Sequence, residues 1–204
     1  PYYDLAERLY LVHGQAGVDP TEPPDVHAYP FPALDHEPVI EKVASALLHH
    51  GIKAFPLPLA VQRHKGGPCV RCKTCDGFPC KVHAKTDAEI AAVRPALATG
   101  RLTLKTNAKA TRLVLTSDGR RVDAVEYESD GGMERITAPI VVLAASAVNS
   151  AALLLRSACD KAPRGVANSS DVVGRNYIAH NNTALMSIWW KINDTNFQKT
   201  ICIN

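Results

Sequence analysis

Ile140-Val141-Val142-Leu143-Ala144-Ala145 is the longest continuously apolar run of the chain. Ser146-Ala147-Val148-Asn149-Ser150-Ala151-Ala152-Leu153-Leu154-Leu155 follows it directly. A run apolar on both alternating faces fits a central strand covered from both sides. The small residues after it fit a tight turn, and Asn149 or Ser150 is placed to start a helix through Leu155. Strand, small-residue turn and helix is an arrangement that lets the backbone approach a phosphate or a nucleotide. It serves equally as a plain β–α unit in which small side chains permit close packing. The chain holds no G-x-G-x-x-G and no G-x-x-x-x-G-K-[ST]. Neither standard phosphate cradle is therefore present.

Upstream of this run the apolar period is two. Residues 102–105 read as a short strand, and 109–116 as a longer one with Leu113 and Leu115 on one side. Asp118-Gly119 is a hairpin signal, and 121–128 returns. Asp130-Gly131-Gly132 makes a second turn into a third strand at 134–137. The expectation is a β-meander feeding a buried strand. Helices precede it. Pro38, with Glu37 and Glu41 near the positive end of the dipole, opens one that carries Val39, Ile40, Val43, Ala44, Leu47 and Leu48 at helical spacing. Gly51 closes it. Residues 52–59 are then extended but broken by Pro56 and Pro58, which confines them to an edge or a loop. Thr86 or Asp87 caps a further helix with Ile90, Val93 and Leu97 on one face, which Pro95 should end or bend. A short helix over 4–13, with Leu5, Leu9 and Val12 on one face, begins an otherwise irregular, proline-rich first segment.

Together these patterns predict an α/β protein with α+β character. The 204 residues suit one domain or a domain and a half. Hydrophobic residues at 46% and charged residues at 21% supply a core and exclude disorder as the main state. A net charge of +3 is too small an excess to argue for nucleic acid or an anionic membrane surface. No apolar run approaches the roughly 18 residues a membrane helix needs. The chain opens on Pro1 and closes on Thr200-Ile201-Cys202-Ile203-Asn204, which has the texture of an interrupted strand. It reads as a piece of a longer protein.

Four of the six cysteines fall within twelve residues, as Cys69, Cys72, Cys75 and Cys80. The spacing C-x2-C-x2-C-x4-C approaches an iron–sulfur ligand run, in which the last gap is x3 and proline follows the final cysteine. Here Pro79 precedes it. Zinc sites usually draw on two well-separated C-x2-C knuckles, and here the pairs nearly touch. Disulfides, in three connectivities, and a reduced cysteine-rich turn are the other readings. Lys65, Arg71, Lys73, Lys81 and Lys85 lie close in sequence and would lower thiol pKa values whichever reading holds. Elsewhere, His180 reads either as a catalytic or cofactor-contacting group or as a buried loop histidine. Trp189-Trp190, in a stretch expected to be a strand from Met186, would place one ring inside and one out.

Several of these stretches, in order and spacing, resemble the middle of the glucose–methanol–choline (GMC) oxidoreductases. They are Cys69-Val70-Arg71-Cys72-Lys73-Thr74-Cys75-Asp76-Gly77-Phe78-Pro79-Cys80, Gly100-Arg101-Leu102 leading to Asn107-Ala108-Lys109-Ala110-Thr111-Arg112-Leu113, the run from Val141 to Ser157, and Pro163-Arg164-Gly165-Val166-Ala167-Asn168-Ser169-Ser170 with Val173-Gly174-Arg175-Asn176-Tyr177 and His180. The resemblance covers about residues 64–182. It implies a flavoprotein that oxidises a CH–OH group of an alcohol or sugar by hydride transfer to FAD. It also implies part of a Rossmann-like FAD-binding domain, with an inserted β-meander and the start of a substrate domain. On that reading 1–63 is an irregular and helical segment, 64–86 a cysteine-rich insertion, 87–180 the FAD-binding portion and 181–204 the substrate-binding start.

By motif position, Ala110 lies on the strand whose backbone meets the adenine. Ala144, Ala145 and Ser146 form a turn that usually ends in glycine. These four are the candidate cofactor contacts, and Ser146 is a departure, since it adds a Cβ where close backbone approach is expected. Cys69, Cys72, Cys75 and Cys80 are the candidate metal ligands, with an iron–sulfur cluster as the group that some dehydrogenases of this kind carry. No catalytic residue is assigned within the chain, because the resemblance places the base in a later segment. The partners implied are a small alcohol or sugar and an electron acceptor, either a protein or a quinone. Two readings from other classes stand beside this one: a non-catalytic iron–sulfur or zinc module, and a disulfide-stapled structural domain.

Overall fold

A computed structural model describes residues 2–23, 27–75, 77–181, 183, 188, 190–197 and 199–203. The chain divides into two compact units, Pro1–Thr103 with Met186–Asn204, and Leu104–Leu185. Helices and strands are mixed in both, as an α/β reading expects.

The first unit opens with α1 (Tyr2–Leu9), whose Leu5 and Leu9 are exposed. Two short strands, β1 (His13–Gly14) and β2 (Phe31–Pro32), pair in parallel. The expected proline-led helix is α2 (Pro38–His49), which buries Ile40. Of the extended stretch after it, only β3 (Phe55–Pro56) is ladder, paired antiparallel with β7 (Ile201–Cys202). One more backbone bond continues the pairing, Leu57 N–H to Thr200 O at 3.0 Å, before Pro58, which has no donor. Asp87 caps the next helix by accepting the Ile90 N–H at 3.1 Å. That helix begins as a π-turn, Glu89–Val93, and tightens into α3 (Arg94–Ala98). The wide turn answers Pro95. A proline inside regular helix lacks an N–H and its ring meets the carbonyl four residues back; the Arg94 N–H bonds Glu89 O, five residues back, and the wider turn makes room for the ring.

A buried polar knot pins Asn196, Phe197 and Thr200 in this unit. Both carboxylate oxygens of Glu37 accept backbone N–H groups, from Asn196 at 2.7 Å and Phe197 at 3.1 Å. Glu37 also pairs with Arg63, whose guanidinium lies over the Phe197 ring. His36 Nδ1 sits 2.8 Å from Thr200 Oγ1, and Thr200 is fully buried.

The second unit is the expected meander. β4 (Lys109–Leu115), β5 (Val122–Ser129) and β6 (Gly132–Ile136) form one antiparallel sheet in that order. Gly119, at φ +71°, lets the first hairpin turn, and Asp130-Gly131 is the loop of the second. α4 (Ser146–Arg156) packs on β4 and closes a core of Leu113, Leu153 and Val166, flanked by Ala110, Leu115, Val122, Val125, Leu143 and Leu154. Ser157 ties helix to strand. Its buried hydroxyl donates to Leu153 O at 2.6 Å and accepts the Leu113 N–H at 2.8 Å. Past α4, the chain from Pro163 to Arg175 folds back on the helix. Val166 N donates to Leu154 O at 3.0 Å, and buried Asn168 bonds Arg164 O and the Val173 N–H.

Two expected strands are absent. Residues 102–105 are irregular. The apolar run 140–145 is not a strand buried on both faces either: it is irregular, with Ile140 and Val142 each 80% exposed. Only Val141 and Leu143 are partly covered. The physical reason is the lack of a neighbour. No strand of the described residues pairs with this run, so its ladder and one of its faces stay open. Trp189 and most of the stretch expected as a strand near it lie outside the described residues, and Ile188 and Trp190 are exposed and irregular.

Candidate functional site

The four residues expected to meet a nucleotide all fall in the second unit. Ala110 lies on β4 opposite Tyr127, half-buried against the core, where the ladder slips by one residue between Ala110 and Arg112. Such a bulge bends the strand and leaves a backbone position unpaired. Ala144, Ala145 and Ser146 are exposed and form the entry to α4. Ser146 takes the left-handed conformation, φ +64°, which costs a residue with a Cβ about 1–2 kcal/mol. The turn therefore has the backbone shape that glycine supplies for nothing, and this chain forms it with serine.

No side chain caps α4, and the Ala145 N–H just before the helix donates to Ser150 Oγ at 3.1 Å. Helix N–H groups left without a cap are partners for an anion or a polar ligand edge. Leu143, one residue before the turn, rests on the same core cluster as Ala110. The fold so brings the two halves of the candidate contact set to one body. An open depression of about 520 Å³ lies at the start of β4, between Asn107-Ala108-Lys109 and Glu128-Ser129-Asp130. It is a cross-strand feature, so spacing along the chain could not reveal it. The residues present fit a nucleotide edge in one respect: small side chains, a glycine-like turn and an uncapped helix occur together. His180, the other candidate contact, is exposed and irregular, which removes the reading of it as a buried loop histidine.

The cysteine segment belongs to the first unit. Cys69, Cys72, Cys75 and Cys80 are all free thiols. Lys85 organises them. Its ammonium donates to the carbonyl oxygens of Cys75 and of Phe78, the latter at 2.9 Å, and so gathers the loop onto itself. Cys72, Cys75 and Cys80 then line one cavity of about 610 Å³ with Val70, Phe78 and Val82.

The thiols differ. The Thr74 hydroxyl, 3.2 Å from Cys72 Sγ, holds the Cys72 pKa below its ordinary value. Burial pushes the Cys75 thiol up, against the nearby Lys85 charge. Burial also works against the Cys80 thiolate, but the N–H groups of Lys85, Ala84 and Val82 outweigh it and the pKa falls. The Ala84 N–H lies 3.3 Å from that sulfur. Despite this gathering, no three His, Cys, Asp or Glu side chains among the described residues converge on a point that could hold a metal ion. As placed, the four thiols do not form a ligand set for an iron–sulfur cluster.

Comparison with known proteins places both regions in one lineage. The GMC oxidoreductase family matches residues 33–182, a span that contains the cysteine segment, the meander and the turn before α4. Paromamine 6'-oxidase of Streptomyces fradiae is 35% identical over 187 residues, covering 86% of this chain and 32% of that protein. The 6'''-hydroxyparomomycin C oxidase of Streptomyces lividus is 33% identical, over 86% of this chain and 32% of its own length. Gluconate 2-dehydrogenase flavoprotein of Pantoea cypripedii is 25% identical, over 96% of this chain and 35% of its own length. The chain thus spans about a third of the curated relatives it matches. With a family match across most of its length and relatives aligned through both regions, the chain belongs to the GMC oxidoreductase family.

Proposed function

We propose that the protein containing this chain is an FAD-dependent oxidoreductase acting on a CH–OH group of a sugar or alcohol, and that this chain supplies the adenosine side of the cofactor site. When bound, FAD accepts a hydride from the carbon that bears the hydroxyl. The protein's task is then to place the two reacting atoms. Ala110 on the bulged edge of β4 and Ala144, Ala145 and Ser146 at the entry to α4 hold the cofactor by backbone contact in this reading. Their small side chains leave room for a planar or polar edge. No residue of this chain is assigned the role of base.

One observation carries the proposal: Ser146 stands in a left-handed conformation at the uncapped start of α4, inside the stretch that matches the family. A strained backbone is kept where something gains from it. The relatives' names support a hydroxyl on a sugar or amino sugar as substrate, since they refer to paromamine, hydroxyparomomycin C and gluconate. Two are called oxidases and one a dehydrogenase, so dioxygen stands beside a protein or quinone as the acceptor.

The test is flavin content and affinity in the protein at its full natural length. Ser146→Gly, which relieves the strain, should bind FAD at least as well and raise the melting temperature by a few degrees, from about 1 kcal/mol. Ser146→Val, with a branched Cβ in a left-handed turn, should weaken FAD binding by about tenfold or more, because it forces the turn to a different shape. Unaltered FAD affinity in Ser146→Val would remove this turn from the cofactor site. Absence of flavin from the wild-type protein would remove the function itself.

A further inference from the structure

We infer that the cysteine segment is a thiol modification site, in which Cys72 reacts with a peroxide and a second thiol of the same cavity wall, Cys75 or Cys80, closes a disulfide on it. The inference is independent of the substrate and of where FAD binds.

The geometry supports it in three ways. Cys72 is the exposed thiol of the cluster, whereas Cys69, Cys75 and Cys80 are half-buried. Its two chain neighbours are both left-handed, Arg71 at φ +52° and Lys73 at φ +62°. Each of these residues carries a Cβ, so the backbone on either side of Cys72 is strained. Finally, Lys85 holds the Cys75 and Phe78 carbonyls and so draws the segment into a ring of chain. Cys72, Cys75 and Cys80 all line the cavity beside it. A second thiol on the same cavity wall is the accessible partner that closing a disulfide requires.

The step balances with hydrogen peroxide as oxidant. The Cys72 thiolate attacks one peroxide oxygen; the O–O bond breaks, an S–O bond forms, and hydroxide leaves and takes up a proton as water. The sulfur of Cys75 or Cys80 then attacks Cys72 Sγ. An S–S bond forms, the S–O bond breaks, and the second water leaves with the proton of the attacking thiol. Two thiols lose two electrons and one peroxide becomes two waters.

The experiment uses the protein at full natural length, purified anaerobically, with iron and zinc measured on the same sample. One equivalent of hydrogen peroxide is added at neutral pH, and peptides are mapped without reduction. The expected result is a sample without stoichiometric metal and a Cys72–Cys75 or Cys72–Cys80 cross-link, formed before Cys159 and Cys202 react. Cys72→Ser should abolish the link and slow total thiol loss by about tenfold. Cys159→Ser, remote in sequence, should leave it unchanged and shows that the effect is not a general loss of fold. Iron or zinc bound in stoichiometric amount by these cysteines overturns the inference. So does a link that omits Cys72, or peroxide that oxidises Cys159 or Cys202 first.

Discussion

Glu37 is the side chain on which the first unit's return segment depends. Its side chain is 16% exposed and that of its partner Arg63 6% exposed, so the pair is withdrawn from water. The same carboxylate accepts the Asn196 and Phe197 N–H groups. Glu37→Gln keeps the shape and one acceptor oxygen but strips the charge. Breaking a buried pair by removing one partner costs about 3–5 kcal/mol, and the retained acceptor places this case near the lower end, about 3 kcal/mol. With a urea slope of about 2 kcal/mol per molar, the midpoint of the transition should fall by about 1.5 M. Glu37→Gln with Arg63→Met should recover much of the loss, because no charge then remains unpaired beside Phe197.

The pH dependence has a definite sign. Burial acts to raise the Glu37 pKa, but the Asn196 N–H, the Arg63 guanidinium and the Phe197 N–H outweigh it, and the folded value lies below the ordinary 4.5. The contribution is therefore fully present above the unfolded pKa and is lost as pH falls through the folded one. Wild type and Glu37→Gln should converge in acid and differ most at neutral pH. Amide exchange read at Asn196 and Phe197 localises the effect. A loss below about 0.5 kcal/mol at neutral pH, within the range of ordinary surface substitutions, with unchanged protection at both amides, would refute the role given to this knot.

Two further outcomes follow from the second unit. Ser157→Ala leaves the buried Leu113 N–H without an acceptor, and should cost about 1–3 kcal/mol in thermal or urea unfolding; a change under about 0.5 kcal/mol would mean that water replaces the hydroxyl. Gly165→Ala should be strongly destabilising. Gly165 sits at φ +105°, and a Cβ there would lie 2.9 Å from both Leu154 O and Leu155 Cα, backbone atoms that cannot swing aside. We expect a loss of about 2 kcal/mol or more by calorimetry, with weakened exchange protection at Val166, whose N–H bonds Leu154 O.

What the sequence discloses here is what is local. Asp118-Gly119, Asp130-Gly131 and the alternation around Leu113 fix the meander, because turn chemistry and a period of two act over a few residues. The proline at the start of α2 and the Asp87 cap are likewise read directly. The Glu37–Arg63 knot was not legible. Its members lie 26 and about 160 residues apart, and nothing in a lone Glu before a proline helix announces an acceptor for Asn196. The cavity shared by Cys72, Cys75 and Cys80 was half legible. Spacing gathers the thiols, but their division into exposed and half-buried depends on Lys85 reaching back to two carbonyls.

The run at 140–145 shows where such reading fails in principle. Its apolarity correctly marks residues that would be covered in a sheet. Whether they form a strand is decided by a neighbouring strand, since an isolated extended segment satisfies none of its N–H or C=O groups through a ladder. Apolar content is a property of the segment, and pairing is a property of its surroundings. In this structure Val141 and Leu143 turn toward the body while Ile140 and Val142 face out, an alternation with a period of two and no ladder to go with it. The division of faces over 140–143 is that of a strand, although the segment is irregular. What it lacks is the hydrogen-bonding edge of another strand, and that missing edge, rather than any weakness of β propensity in Ile-Val-Val-Leu, explains the difference between expectation and structure.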